Sequence, residues 1–220
     1  MIRSGSEPLP RLLVLTDRTQ CSRSLPDTVA TAVAAGARAV VLREKDLPLI
    51  ERSALAADLR AVLAPVGGVL VWAGADGSGG EAAVHLSARD EFPAQRPAVV
   101  GRSCHSAAEV TRAAAESCDH VFVSPVFPTA SKPGYGPALG LDGLAALVPG
   151  APPVYALGGI GPADVPGCLA AGARGVAVMG PVMREPAVVH AYLAALAGTS
   201  TSGERRSAGR PGRQDPPAGP

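Results

Sequence analysis

The chain has 220 residues, a length that suits one domain or one barrel, and 47% of them are hydrophobic, enough for a large core. Only 3% are aromatic, so Ala, Val and Leu must build that core. A formal net charge of +1 gives no electrostatic footprint for nucleic acid or an anionic membrane surface, and no apolar run reaches the roughly 18 residues that span a bilayer.

Residues 1–10 lack the apolar centre of a signal peptide and read as a flexible N-terminus. Short β-rich runs then recur in order: LLVLTD (12–17), AVVLREK (39–45), GVLVWAG (68–74) and AVHLS (83–87). They continue as AVVGRS (98–103), HVFVSPV (120–126), PVYALGG (153–159) and GVAVMG (175–180). Each is nearly all apolar, as a strand buried on both faces of a parallel sheet requires. Helix-like runs stand between most of them, at 26–36, 48–64, 106–117, 141–148, 162–172 and 186–198. Several begin at Pro or Ser and end at Gly, the usual start and stop signals. ADGSGGEA (75–82) is too short and glycine-rich for a solid helix.

Eight strands alternating with helices predict an α/β fold, a single (β/α)8 TIM barrel with parallel strands over residues 11–198. A doubly wound sheet is the alternative, but LTDRTQ follows the first strand where a dinucleotide fold needs a glycine-rich turn. The segment 199–220 is almost devoid of apolar residues and reads as a disordered Pro/Gly/Arg-rich tail. The four cysteines, Cys21, Cys104, Cys118 and Cys168, have no metal-ligand spacing and read as free thiols of a cytoplasmic protein.

Barrels of this kind build active sites at the C-terminal strand ends. There the chain places Arg43 and Lys45, which alternation along a strand puts on one side. Two cations on one face suit a pyrophosphate. Ser103 ends the fifth strand, and Thr129, Ser131 and Lys132 lie in the turn-rich loop FPTASKPG after the sixth. Gly158 and Gly159, with Met179 and Gly180 after the eighth strand, stand where backbone N–H groups can meet a phosphate. Asp90 lies just past the fourth strand. Taken singly, an Arg-Glu-Lys run resembles a solvated rim, His85 a core residue, and His105 beside Cys104 a pair whose side chains point apart. Their gathering at the strand ends points to a site for small phosphorylated substrates.

The stretches VVLREKDLP, VHLSARD, GRSCHSAAEV, PVFPTASKPGYGPALGLDGL and PVYALGGIGPADVPGCLAAGARGVAVMG resemble thiamine phosphate synthases and their TenI-like relatives, in order over residues 11–198. The resemblance implies condensation of a hydroxymethylpyrimidine pyrophosphate with a thiazole phosphate, giving thiamine phosphate and pyrophosphate with Mg²⁺. It implies that Arg43 and Lys45 hold the pyrophosphate, that Ser103 donates to it, and that Lys132 meets it as it leaves. Thr129 and Ser131 would contact the thiazole phosphate side, Gly159 and the Met179–Gly180 turn would give it backbone donors, and Asp90 would be a metal ligand. The chain departs from the synthase pattern at Val41, where Gln is implied, and at WAGADGSGG, where an Asn-Asp pair is implied. Ser87 and Ala88 replace a Gly-Gln pair, and Asp76 could stand in for the lost acid only through a loop rearrangement. The alternatives are a TenI-like thiazole phosphate tautomerase, whose histidine after strand six is absent here, and a non-catalytic thiazole phosphate binder or regulator. Assembly, a homo-oligomer included, is left open by the sequence.

Overall fold

The computed structural model describes residues 8–77, 80–129 and 137–198. All eight apolar runs are strands: β1 (Leu12–Leu15), β2 (Ala39–Leu42), β3 (Val69–Ala73), β4 (Ala83–Leu86), β5 (Val99–Cys104), β6 (His120–Val123), β7 (Val154–Leu157) and β8 (Gly175–Val178). They pair in chain order, all parallel, and β8 closes back onto β1 through Val14 opposite Val178. The fold is therefore a (β/α)8 barrel.

Alternation sorts the strand residues into two cores. Leu13, Leu15, Val41, Val71, Ala73, Phe122, Tyr155 and Ala177 fill the barrel interior. Leu12, Val14, Val40, Leu42, Trp72, Val84, Val100, Val121 and Val176 face outward against the helices. Those helices are α1 (Leu25–Ala34), α2 (Leu49–Leu63), α3 (Ala107–Ala115), α4 (Gly140–Leu147), α5 (Val165–Ala170), α6 (Gly180–Arg184) and α7 (Val189–Gly198). Ser24 caps α1 by accepting the Asp27 amide, and Ser106 caps α3 by accepting the Glu109 amide.

Two connections depart from the regular unit. Between β3 and β4 the described residues form only a 3-10 turn (Ala75–Gly77). Arg52 of α2 secures this place instead. Its guanidinium lies 4.0 Å from the Trp72 ring centroid, pairs with Asp76 at 2.8 Å and donates to the Ala73 carbonyl. Trp72 Nε1 also donates to Asp76, at 2.9 Å. One buried arginine thus covers the indole face and pins the short turn. Between β4 and β5 no helix forms either; buried Arg102 points outward there, ion-paired with Glu116, which caps the C-terminal end of α3, and donates to the carbonyls of Ser87 and Asp90, both at 2.8 Å.

Strand closure also depends on Gly175. A Cβ there would overlap the backbone carbonyl of Arg11, the group that accepts the Val176 amide at 2.9 Å. Backbone cannot step aside as a flexible side chain can. Gly175→Ala is expected to lower stability by about 2 kcal/mol or more, read as the shift in urea midpoint; an unchanged midpoint would mean the β1–β8 seam is slack.

Candidate active site

The C-terminal strand ends surround a cavity of about 650 Å³, a size suited to small-molecule ligands. β2 ends at Leu42, so Arg43 and Lys45 lie just beyond it. The Arg43 amide leaves the strand ladder to donate to Thr16 Oγ1 at 2.9 Å, and the Lys45 amide turns back to the Arg43 carbonyl at 3.0 Å. Both side chains are exposed and line the cavity, as their spacing predicts. Glu44 between them is buried and accepts from the Arg18 amide and guanidinium. The neighbouring carboxylate is thereby turned away, and two cations face the cavity together.

Across the mouth, Gly158 and Gly159 have φ of +100° and +65°, a conformation that disfavours any side chain. A Cβ on Gly159 would also collide with the Pro128 carbonyl and sit 2.9 Å from Phe127. The AxGGI turn is thus pressed against the segment after β6, where Val126 and Phe127 donate to the carbonyls of Leu157 and Gly158. Met179 and Gly180 complete this side where α6 begins, and half-buried Thr129 lines the same cavity. Ser131 and Lys132 lie outside the described residues.

Ser103 lines the wall between these two sides, 3.0 Å from His85 Nε2. His85 Nδ1 is in turn 3.1 Å from His120 Nε2. Burial, and then the charges of His120, Lys45 and Arg102, push His85 well below the usual imidazole range. Burial, weakly opposed by Asp119, pushes His120 down to about 4. His105 lines the cavity with Nδ1 2.6 Å from the Ser124 carbonyl, while Cys104 is buried in the outer core and its thiol is pushed up to about 12 by burial. The two point apart, and no nucleophile pair exists.

Below the polar rim the cavity floor is apolar. Leu15, Val41 and Ala73 line it, so the Gln implied at 41 is replaced by an interior aliphatic. Asp90 is not a lining residue, although Ser87, Ala88 and Arg89 beside it are. One Asp90 oxygen accepts the Ser87 amide at 2.7 Å. Burial raises its carboxyl, but the Ser87 hydroxyl and amide, with the Lys45 and Arg102 charges, leave it below the usual range. Asp76 is held by Arg52 and Trp72 and does not stand in for the missing acid. Among the described residues no three His, Cys, Asp or Glu side chains gather as metal ligands. Mg²⁺ is usually held by one or two carboxylates together with substrate phosphates and needs no such cage.

Sequence reasoning missed Arg184 and Gln20. Arg184 Nη1 donates to Gln20 Oε1 at 2.6 Å, and Gln20 Nε2 donates to Asp17 Oδ2 at 2.7 Å, all at the cavity edge beside Gly180. No pattern announces a contact made across 164 residues.

Cations on one side of a barrel mouth, glycine turns on the other and a hydroxyl between them make a pocket suited to phosphorylated ligands. The profile of the thiamine monophosphate synthase family matches residues 12–182. A putative thiamine-phosphate synthase of Geobacter sulfurreducens is 38% identical over 80% of this chain and 87% of its own length. The thiamine-phosphate synthase of Methanoculleus marisnigri is 37% identical over 79% and 88%. Among solved structures, thiamine phosphate pyrophosphorylase from Pyrococcus furiosus superposes with a TM-score of 0.74 at 25% identity, covering 86% of this chain and 96% of that one. The chain belongs to the thiamine monophosphate synthase family.

The buried histidines give the fold a pH signature. Unfolded, each ring takes up a proton below about pH 6.5; folded, His120 stays neutral down to about 4. The unfolded state binds more protons in that window, so stability is full above about 6.5 and declines as pH falls. Urea midpoints between pH 7 and 4.5 should drop with falling pH, and His120→Gln should flatten the drop.

Proposed function

We propose that this chain is a thiamine phosphate synthase, a transferase that condenses a hydroxymethylpyrimidine pyrophosphate with a thiazole phosphate. The observation that carries this is the division of one cavity into a cationic side and a glycine side. Arg43 and Lys45 form the first; Gly158, Gly159 and Gly180, with Arg184 at the edge, form the second, and Ser103 lies on the wall between them. Two substrates carrying a diphosphate and a monophosphate need that division. The family's curated relatives above are named as synthases, and no feature of the described site favours the tautomerase or the binder.

In this reading the bond between the pyrimidine methylene carbon and the diphosphate oxygen breaks, and its electron pair leaves with pyrophosphate. The methylene becomes carbocation-like, supported by the ring amine. The thiazole nitrogen then donates its lone pair to form the new C–N bond. No proton need move, so no strong general base is required. Arg43, Lys45 and Lys132 meet the charge that grows on the leaving group, and Ser103 donates a hydrogen bond to it. Backbone amides at Gly159 and the Met179–Gly180 turn, with Thr129 and Ser131, seat the thiazole phosphate and hold its ring nitrogen toward the methylene. The apolar floor of Leu15, Val41 and Ala73 offers water no hydrogen-bonding side chain beneath the reactive carbon. A magnesium ion would arrive with the diphosphate and keep most of its waters. The protein acts in the cytoplasm on small molecules, and among the described residues no helix is long and apolar enough to cross a membrane.

Purified protein given both substrates over a Mg²⁺ series should form thiamine phosphate, detected by mass. Arg43→Ala and Lys45→Ala should each lower kcat/KM by about 100-fold while leaving KM for the thiazole phosphate unchanged. Absence of thiamine phosphate at every Mg²⁺ concentration would contradict the synthase reading.

A further inference from the structure

Two buried histidines stand behind Ser103 and take no part in the phosphate contacts assigned above. His120 Nε2 is 3.1 Å from His85 Nδ1, and His85 Nε2 is 3.0 Å from Ser103 Oγ. The row thus runs from the barrel interior to the cavity wall. The remaining nitrogen, His120 Nδ1, is buried and has no hydrogen-bond partner among the described residues. The fold makes room for this ring deliberately. Gly101 is the strand-five residue paired with His120, and a Cβ there would overlap the imidazole. Phe122 stacks on His85 with centroids 3.7 Å apart, and Tyr155 meets His120 edge-on. Both rings are 5% exposed or less, and burial keeps both neutral at pH 7.

A neutral imidazole carries one N–H. Only two arrangements place a hydrogen in each gap of the row. In the first, the hydrogens point toward Ser103: His120 Nε2–H donates to His85 Nδ1, and His85 Nε2–H donates to Ser103 Oγ. The nitrogen left over on His120 is then a bare lone pair. In the second, Ser103 donates to His85 and His85 donates to His120. The nitrogen left over is then an N–H with no acceptor. Among buried backbone groups an N–H left without an acceptor is rarer than an under-satisfied acceptor, and the same preference, applied to the imidazole, selects the first arrangement.

We infer that His120 is a positioning residue: through His85 it commits the Ser103 hydroxyl to accept, and so turns that hydroxyl's own hydrogen into the cavity as a fixed donor to an anionic oxygen. That the anion is the departing diphosphate rests on the synthase reading. The consequence is preorganisation. Ser103 need not choose between its neighbour and the leaving group as charge builds, so no reorientation is needed at the moment of bond breaking.

The test joins a spectroscopic and a kinetic measurement on the full chain. Nitrogen-15 NMR of histidine-labelled protein at pH 7.5 should find both His85 and His120 protonated at Nε2 and bare at Nδ1, the resonances assigned with His85→Gln and His120→Phe. Protonation at Nδ1 of both rings would overturn the proposal. In turnover, His120→Phe keeps an aromatic ring in the slot but removes the donor. It should lower kcat about tenfold, roughly the worth of one hydrogen bond, with KM for both substrates nearly unchanged. His120→Gln, which returns an amide N–H near the Nε2 position, should recover most of the loss; equal kcat for the two variants would overturn the role. If His120→Phe does not fold, His120→Gln and the NMR measurement still decide. If the unaltered protein makes no thiamine phosphate, the synthase reading fails, while the protonation pattern still confirms or refutes the histidine row.

Discussion

The closure of eight parallel strands into one hydrogen-bonded ring is the constraint on which everything else in this molecule rests. Parallel pairing sends every strand's C-terminal end to the same rim. Residues 115 positions apart, such as Arg43 and Gly158, therefore reach one cavity. The seam between β1 and β8 completes the ring only because Gly175 lets the two backbones approach. Without closure the cationic rim and the glycine turns would be separate loops on an open sheet.

Upon that ring the chain divides its chemistry by sector. The cationic sector owes its charge to a local exchange: Glu44 turns away to Arg18, which leaves Arg43 and Lys45 facing the cavity without the intervening carboxylate. The opposite sector relies mainly on backbone, with Thr129 and Arg184 at its edge, and its two left-handed glycines are held by the close approach of Phe127 and Pro128. The interior beneath both is apolar, except for the His85–His120 row that supports Ser103. Carboxylates are few and engaged elsewhere: Asp90 accepts a backbone amide, and Asp76 anchors Arg52. A diphosphate bound as proposed would meet the cations Arg43 and Lys45 on this side of the cavity.

Much of this was legible in the sequence because the two faces of each strand are both buried. A run such as AVVL or LLVL has no polar interruption to confuse it, and all eight were identifiable. Strand ends were less so. The run 39–45 reads as one strand, but the ladder stops at Leu42 because the Arg43 amide finds a threonine hydroxyl instead. Helix α6 escaped notice because five residues beginning Gly-Pro carry no amphipathic period. At the site, the even spacing of Arg43 and Lys45 gave their shared side correctly. Arg102 and Ser103 show the limit of such reasoning: adjacent residues must face opposite ways, and only the fold reveals that the arginine goes outward to Glu116. The histidine row was illegible for a similar reason, since its members come from three strands.

The most direct test of this account is a crystal structure of the protein with both products, thiamine phosphate and pyrophosphate. The account predicts pyrophosphate against Arg43, Lys45 and Ser103, and the phosphate of thiamine phosphate on the amides of Gly159 and Gly180. Pyrophosphate seated on the glycine turns, or both anions crowded onto one sector, would contradict it.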